Sequence, residues 1–274
     1  MIGDRVFEHL RRVTEIPDLS GTHYELLAEI GRGGMGVVYR ARDTRLDRLV
    51  ALKVIDAGPV DEPRTLAALE HAGLVPVYDC GTLDDGRTYY AMRLIAGQRL
   101  DDYISGKPSL PARLRVFEKI CDAVAFAHDR GIVHCDLKPH NIMTGDFGEV
   151  FVMDWGVANL PHAGTPRYRA PDEAPTPQTD VFALGRILED LGPLPRPLAA
   201  VAARASSDDP AARYASVNEL TAEIARFLDG LPVAAYREGP LEAMTRFARR
   251  NHVLLLLLAT YLLVKFALLL IFRR

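Results

Sequence analysis

The sequence predicts an α+β protein of two lobes, a small β-rich lobe followed by a larger helical one, with one apolar helix at the C-terminal end. Three observations carry this. Tyr24 to about Ala57 reads as strands bracketing a glycine-rich turn. After Gly97 the apolar spacing becomes helical. Val253 to Phe272 then reads VLLLLLATYLLVKFALLLIF, with Lys265 as its one charge. Strands that precede helices, rather than alternating with them, form a separate sheet-rich body.

The elements follow in order. Residues 1–23 form an N-terminal extension that alternates charged and apolar residues. It lacks the uninterrupted apolar stretch of a signal peptide and is expected to be a short amphipathic helix. Arg64 to Glu70 looks helical but short, and Val75 to Tyr78 and Tyr89 to Ile95 read as strands. Leu114, Phe117, Ile120, Cys121, Val124 and Ala125 fall at helical spacing within Leu114 to His128. Further helices are expected at Thr179 to Leu191, Leu198 to Ser206 and Val217 to Leu228. A main domain over 24–229 is thus followed by a Pro- and Gly-rich linker, Gly230 to Pro240, and a basic helix, Leu241 to Arg250, together spanning 230–252. The apolar segment 253–272 closes the order.

Composition narrows the class. Of 274 residues, 49% are apolar, and the net charge is −3 with no long run of one sign. That argues against a nucleic-acid-binding stripe. Cys80, Cys121 and Cys135 show neither paired nor metal-like spacing, which fits a reducing compartment. The segment 253–272 would match a hydrocarbon core of ~30 Å at ~1.5 Å per residue. Lys265 costs about 2.5–3.5 kcal/mol near the centre, while each Leu, Ile, Val or Phe returns about 0.3–0.6 kcal/mol. More than a dozen such residues outweigh it. Lys265 can snorkel to the surface or mark a contact that pairs two chains as a homodimer. A membrane anchor inserted late in synthesis is expected, because only Arg273 and Arg274 follow it.

Four motifs carry chemistry. Gly31-Arg32-Gly33-Gly34-Met35-Gly36 is followed by Val37-Val38-Tyr39-Arg40, a strand rather than the helix that opens a dinucleotide-binding turn. Its glycines let backbone N–H groups close over phosphates. Val50-Ala51-Leu52-Lys53-Val54 is a strand with one lysine, a point cation for phosphates. His134-Cys135-Asp136-Leu137-Lys138-Pro139-His140-Asn141 holds a carboxylate to accept a hydroxyl proton, a lysine to steady a phosphoryl group and an asparagine to ligate Mg²⁺. Asp154-Trp155-Gly156 follows the apolar strand Val150 to Met153 and offers a hard oxygen ligand for the same ion.

In this order, and with Ala170-Pro171-Asp172 downstream, the motifs resemble those of the eukaryotic-like (Hanks-type) serine/threonine protein kinases, especially the membrane-anchored bacterial ones. The resemblance covers Tyr24 to about Leu228. It implies the bilobal protein-kinase fold with ATP between the lobes, Mg²⁺ or Mn²⁺ as its partner ion, and protein substrates. Asp136, Lys138 and Thr165 would be catalytic, and Asn141 and Asp154 would hold the metal. Ile30, Gly31, Gly33, Gly34, Gly36, Val38, Ala51, Lys53, Glu62 and Met143 would line the ATP site, with Met92 at its back. Val38, Ala51 and Met143 would sandwich the adenine. The resemblance further implies that Asp180 holds the catalytic loop and that Arg213 pairs with Asp172. The kinase domain would face the cytosol, where ATP is.

Four departures mark this chain. Lys53 and Glu62 lie only nine positions apart, so the helix carrying Glu62 would be stunted. Cys135 stands where the family has an arginine that reads an activation-loop phosphate. The loop from Asp154 to Asp172 is short, with Thr165 and Tyr168 as its hydroxyl residues. The stretch from Gly185 to Ser206 is too short for the usual substrate-docking helices. Trp155 replaces a phenylalanine and is expected to pack on Leu66. Three readings stay open: an active kinase with all its phosphoryl-transfer groups; a pseudokinase, a membrane-bound nucleotide-binding scaffold; and a non-kinase ATP-binding protein.

Overall fold

Alternating burial builds the first sheet. In the computed structural model, which describes residues 16–33, 36–55, 69–155, 158, 164–172 and 174–272, strand β2 (Gly36–Asp43) buries Val37, Tyr39, Ala41 and Asp43 and leaves Arg40 and Arg42 outside. This period of two is the pleat of a strand with one dry face. β3 (Arg48–Ile55) is buried on both faces. Val50, Leu52 and Val54 join an outer cluster with Tyr24, Tyr39, Leu83 and Tyr89, while Ala51 faces the main core with Tyr90 and Met92. Lys53 shares the Ala51 face by the same alternation. With β1 (Tyr24–Gly33), β4 (Val77–Thr82) and β5 (Thr88–Arg93) the order is β1-β2-β3-β5-β4, antiparallel throughout.

A second, three-stranded sheet joins the lobes. It pairs β6 (Gly97–Arg99), β7 (Ile142–Gly145) and β8 (Val150–Val152) in that order. Helix α1 (Leu100–Ser105) follows β6 directly. Helix α2 (Leu110–His128) buries Leu114, Phe117, Ile120, Cys121, Ala123, Val124 and Ala127. Helices α3 (Pro177–Asp190) and α5 (Val217–Leu228) pack on it, α4 (Arg196–Ala205) packs on α3 and α5, and their apolar faces merge with the α2 face in one core.

Several elements differ from the sequence expectation. α2 begins a turn earlier than Leu114, because Ser109 accepts from the Ala112 N–H and Pro111 sits in the first turn, where its missing donor costs nothing. β4 starts at Val77, since Leu74 instead bridges to Val152 in parallel. Strands β6 and β7 and helix α1 were not expected; three to six residues carry too little periodicity to read. Of the helix expected at Arg64 to Glu70, only Leu69 and Glu70 are described, and they are not helical. Of the extension 1–23, where a short helix was expected, residues 1–15 lie outside the described residues and 16–23 are not helical; Leu66, the expected neighbour of Trp155, also lies outside them.

At the C-terminal end, α6 (Pro240–Arg250) leads into α7 (His252–Phe272). Among the described residues no single helix is long and apolar enough to cross a membrane by itself. Pro240–Ala248 and His252–Phe266 meet that measure only as a pair, bent by 81°. This differs from the single straight span expected over 253–272.

Candidate active site

The loop from His134 to Asn141 is built around Asp180 on α3. Its carboxylate accepts from the His134 N–H at 2.8 Å, the Cys135 N–H at 3.0 Å and His128 Nε2 at 2.8 Å. Asp180 is 1% exposed, so its charge needs these donors. They pin Cys135 at φ 68, a left-handed conformation that a side chain adopts only when its surroundings impose it. Gly164 (φ +103) presses against the same residue, and a Cβ there would lie 2.4 Å from the Cys135 carbonyl oxygen. His134 Nε2 donates to the Met153 carbonyl oxygen at 2.9 Å, and its Nδ1 accepts from the Asp136 N–H at 3.2 Å. The Met153 N–H in turn donates to the Asn141 carbonyl oxygen at 2.8 Å, so the loop and the strand that carries Asp154 are tied together. Trp155 stacks on His134 with ring centroids 4.5 Å apart and donates to the Val152 carbonyl oxygen at 3.2 Å.

On this frame Asp136 is held from three directions. Lys138 Nζ donates to Oδ2 at 2.6 Å, the Thr165 N–H and hydroxyl meet Oδ1 at 2.8 and 3.0 Å, and Asn141 Nδ2 reaches Oδ2 at 3.2 Å. Lys138 Nζ also donates to Thr165 Oγ1 at 2.9 Å. Burial alone would raise the Asp136 pKa, but the Lys138 bond and charge and the Thr165 bonds outweigh it and hold the carboxyl below its ordinary 3.8. Asn141 Nδ2 also donates to the Asp136 carbonyl oxygen at 2.9 Å, which leaves the amide oxygen as the end able to meet a cation.

Asp154 (φ 60) receives Lys53 Nζ at 3.1 Å across the two lobes. Lys53 is buried and lies opposite Val38 on β2 and Tyr90 on β5. Ala51 lies opposite Met92, and Val38 packs at the margin of the core that holds both. Met143 is half-buried on β7, opposite Arg99 and Phe151. Ile30, Gly31 and Gly33 lie along β1, with Gly33 opposite Gly36. Gly36 (φ +133) admits no side chain, since a Cβ would meet the Val54 carbonyl oxygen at 2.2 Å. Gly34 and Glu62 lie outside the described residues.

Downstream, Arg213 grips Asp172 through two bonds of 2.7 Å and donates to the Ser207, Gln178 and Asp208 carbonyl oxygens. Tyr168 donates to Asp190 at 2.7 Å; burial and then this carboxylate push its pKa up to about 12. Sequence reasoning missed the roles of His128, His134 and Asp190. No local pattern marks His128 or Asp190, which meet their partners across the fold; His134 opens a recognised motif, but its bond to Met153 cannot be read there.

The comparisons give the family to which this arrangement belongs. The protein kinase domain family matches residues 24–212. The chain belongs to that family. Among curated relatives, the serine/threonine-protein kinase PknD of Chlamydia muridarum is 32% identical, aligned over 76% of this chain and 32% of its own length. PknD of Protochlamydia amoebophila is 30% identical over 76% of this chain and 30% of its own. The chain spans about a third of the length of the curated relatives it matches. The first alignment runs over 296 positions yet covers 76% of a 274-residue chain, so that relative carries inserted residues that this chain lacks.

Proposed function

We infer that this chain transfers the γ-phosphoryl group of ATP to serine or threonine hydroxyls of proteins. The observation that carries the reading is the Asp136 cluster: a carboxylate kept ionised by Lys138 and Thr165 and aimed by Asn141. Asp136 would accept the substrate hydroxyl proton as the oxygen bonds to the γ-phosphorus and the bond to the β-phosphate oxygen breaks, releasing ADP. Lys138 would offset charge on the transferring group. Lys53 would pair the α- and β-phosphates, Glu62 would orient Lys53, and the glycine loop would close over them. Ile30, Val38, Ala51 and Met143 would hold the adenine.

The donor set suits Mg²⁺, which takes hard oxygen ligands and keeps several from water and phosphate. Asp154 and Asn141 would hold it. Among the described residues no group of three or more His, Cys, Asp or Glu could hold a metal ion, so the nucleotide would complete the coordination. Bound there, the ion would neutralise phosphate charge; Mn²⁺ suits the same ligands.

The decisive experiment is Mg²⁺-dependent transfer of labelled γ-phosphate from ATP to a protein. Transfer is expected. Nucleotide binding without transfer would favour the second reading, a pseudokinase scaffold. One observation speaks for that reading: α3 ends at Asp190 and α4 begins at Arg196, leaving no room for substrate-docking helices between them.

The domain is read as attached to a membrane through its C-terminal helices, on the cytosolic face where ATP is. What supports this is the exposed run of apolar side chains on α7, from Val253 to Leu263, with no polar face. A chain cut before Val253 should move to the soluble fraction and keep its transfer activity; retention in washed membranes would assign the anchor elsewhere. Pairing of two chains through Lys265 is a proposal that chemical crosslinking would test.

A further inference from the structure

Helix α6 presents its faces in the reverse of the usual order. A helix lying on a globular domain buries its apolar stripe and exposes its charges. In α6 the charged side is the one held to the protein. Arg246 Nε donates to both Glu238 oxygens at 2.9 Å, and its Nη1 donates to the Gly230 carbonyl oxygen at 3.2 Å. Glu242 accepts from Tyr236 at 3.0 Å and pairs with Arg196 on α4 at 3.4 Å. At 3.6 residues per turn, Leu241, Met244 and Phe247 share the opposite face. They are 73%, 63% and 56% exposed.

We propose that α6 is a bracket that seats its Leu241–Met244–Phe247 stripe in the surface of an anionic bilayer while Glu242 and Arg246 fix it to the catalytic domain. This rests on the membrane reading of α7 given above. The occupant follows from continuity. α7 begins at His252, with Asn251 alone between it and the end of α6, and the two helices meet at 81°. A bilayer entered along α7, with that helix near the membrane normal, therefore has α6 lying nearly in the plane of its surface. An amphipathic helix in that plane sinks its apolar face to the acyl boundary and keeps its cations among the headgroups. Arg246 is taken up by Glu238, so the cations that α6 brings to the headgroups are Arg249 and Arg250 at its end next to α7. The catalytic domain would then be held at a set angle to the lipid rather than swung on a loose tether.

The test uses the full chain with Cys80→Ser, which removes an exposed thiol. Met244→Cys, Phe247→Cys, Leu258→Cys and Phe147→Cys each receive a fluorophore; Phe147 is a 94% exposed position outside the helix pair. The proteins are placed in phosphatidylcholine–phosphatidylglycerol vesicles containing nitroxide lipids. Labels at 244 and 247 should be quenched roughly threefold more than the label at 147, at a shallower depth than 258. If 258 is quenched while 244 and 247 stay as open to aqueous iodide as 147, the proposal falls and the membrane reading stands. If they are shielded from iodide but untouched by nitroxide lipid, a protein covers the stripe, and the proposal falls again. An unquenched label at 258 overturns the membrane reading and the proposal together. For the bracket, paired spin labels at 147 and 247 should give a distance distribution about twofold broader when Arg246→Ala is added. An unchanged width would remove the fixed orientation.

Discussion

Asp136 and Asp154 stand on either side of the β7–β8 hairpin, and the protein treats them differently. The Asp136 side chain is 17% exposed and accepts from Lys138, Thr165 and Asn141. The Asp154 side chain is 43% exposed and, among the described residues, meets Lys53. The first carboxylate is aimed by neighbours already in place. The second is left open enough to take further partners. That contrast fits the inferred division between a base that must be oriented before substrate arrives and a ligand that completes its shell with cation and phosphate.

The strongest way to break the comparison is to neutralise each carboxylate in turn. Asp136→Asn should lower transfer by about 10²–10⁴-fold, the usual weight of a general base, and largely spare binding of Mg·ATP. Asp154→Asn should lose both transfer and tight Mg·ATP binding. Equal nucleotide affinity in the two variants, read by titration with a fluorescent ATP analogue, would erase the distinction.

A buried pair away from the chemistry provides a control. Arg213 and Asp172 have side chains 0% and 9% exposed. Arg213→Met would leave a buried, unpaired carboxylate and should cost about 3–5 kcal/mol in denaturant unfolding. A loss under about 1 kcal/mol would mean that solvent reaches the pair.

The acid side of the comparison can be sharpened through Lys138. Burial pushes the Asp136 pKa up and Lys138 is the largest opposing influence, so Lys138→Met should raise that pKa. The point of half-maximal transfer on the acid limb should then move to higher pH, whatever happens to the maximal rate. In the parent, the stability tied to Asp136 is complete above the ordinary carboxyl value and is lost as pH falls through its lowered folded value. A pH profile unmoved in the variant would take Lys138 out of this role.

The smallest expected effect is none. The Cys135 N–H already binds Asp180 and its side chain is buried, so it offers no cation to a phosphate on the loop. Phosphatase treatment before the assay should leave the rate within about twofold. A large loss would show that another group reads a phosphate.

How much was legible follows from distance along the chain. The spacing of Asp136, Lys138 and Asn141 places them within one loop, so their grouping could be read directly. The glycine loop, the strand lysine and the α2 stripe were legible for the same local reason. β6 and β7 were not, because strands of three or four residues are stabilised by their partners rather than by pattern. The support of the loop by His128, and the tie from His134 to Met153, had no sequence signal at all.

By itself the sequence determined which groups are present, their order, and the apolar character of the last helix, since these are properties of covalent neighbours. Tertiary structure decided who meets whom. Thr165 comes to Asp136 from 29 positions away, Asp180 to Cys135 from 45, and Lys53 to Asp154 from 101. Such contacts depend on strand register and on the packing of α3 beneath the loop. It also decided that α6 turns Glu242 and Arg246 toward the domain, because Glu238, Tyr236 and Arg196 provide partners for them there, and a helical pattern shows two faces without saying which one the domain will hold.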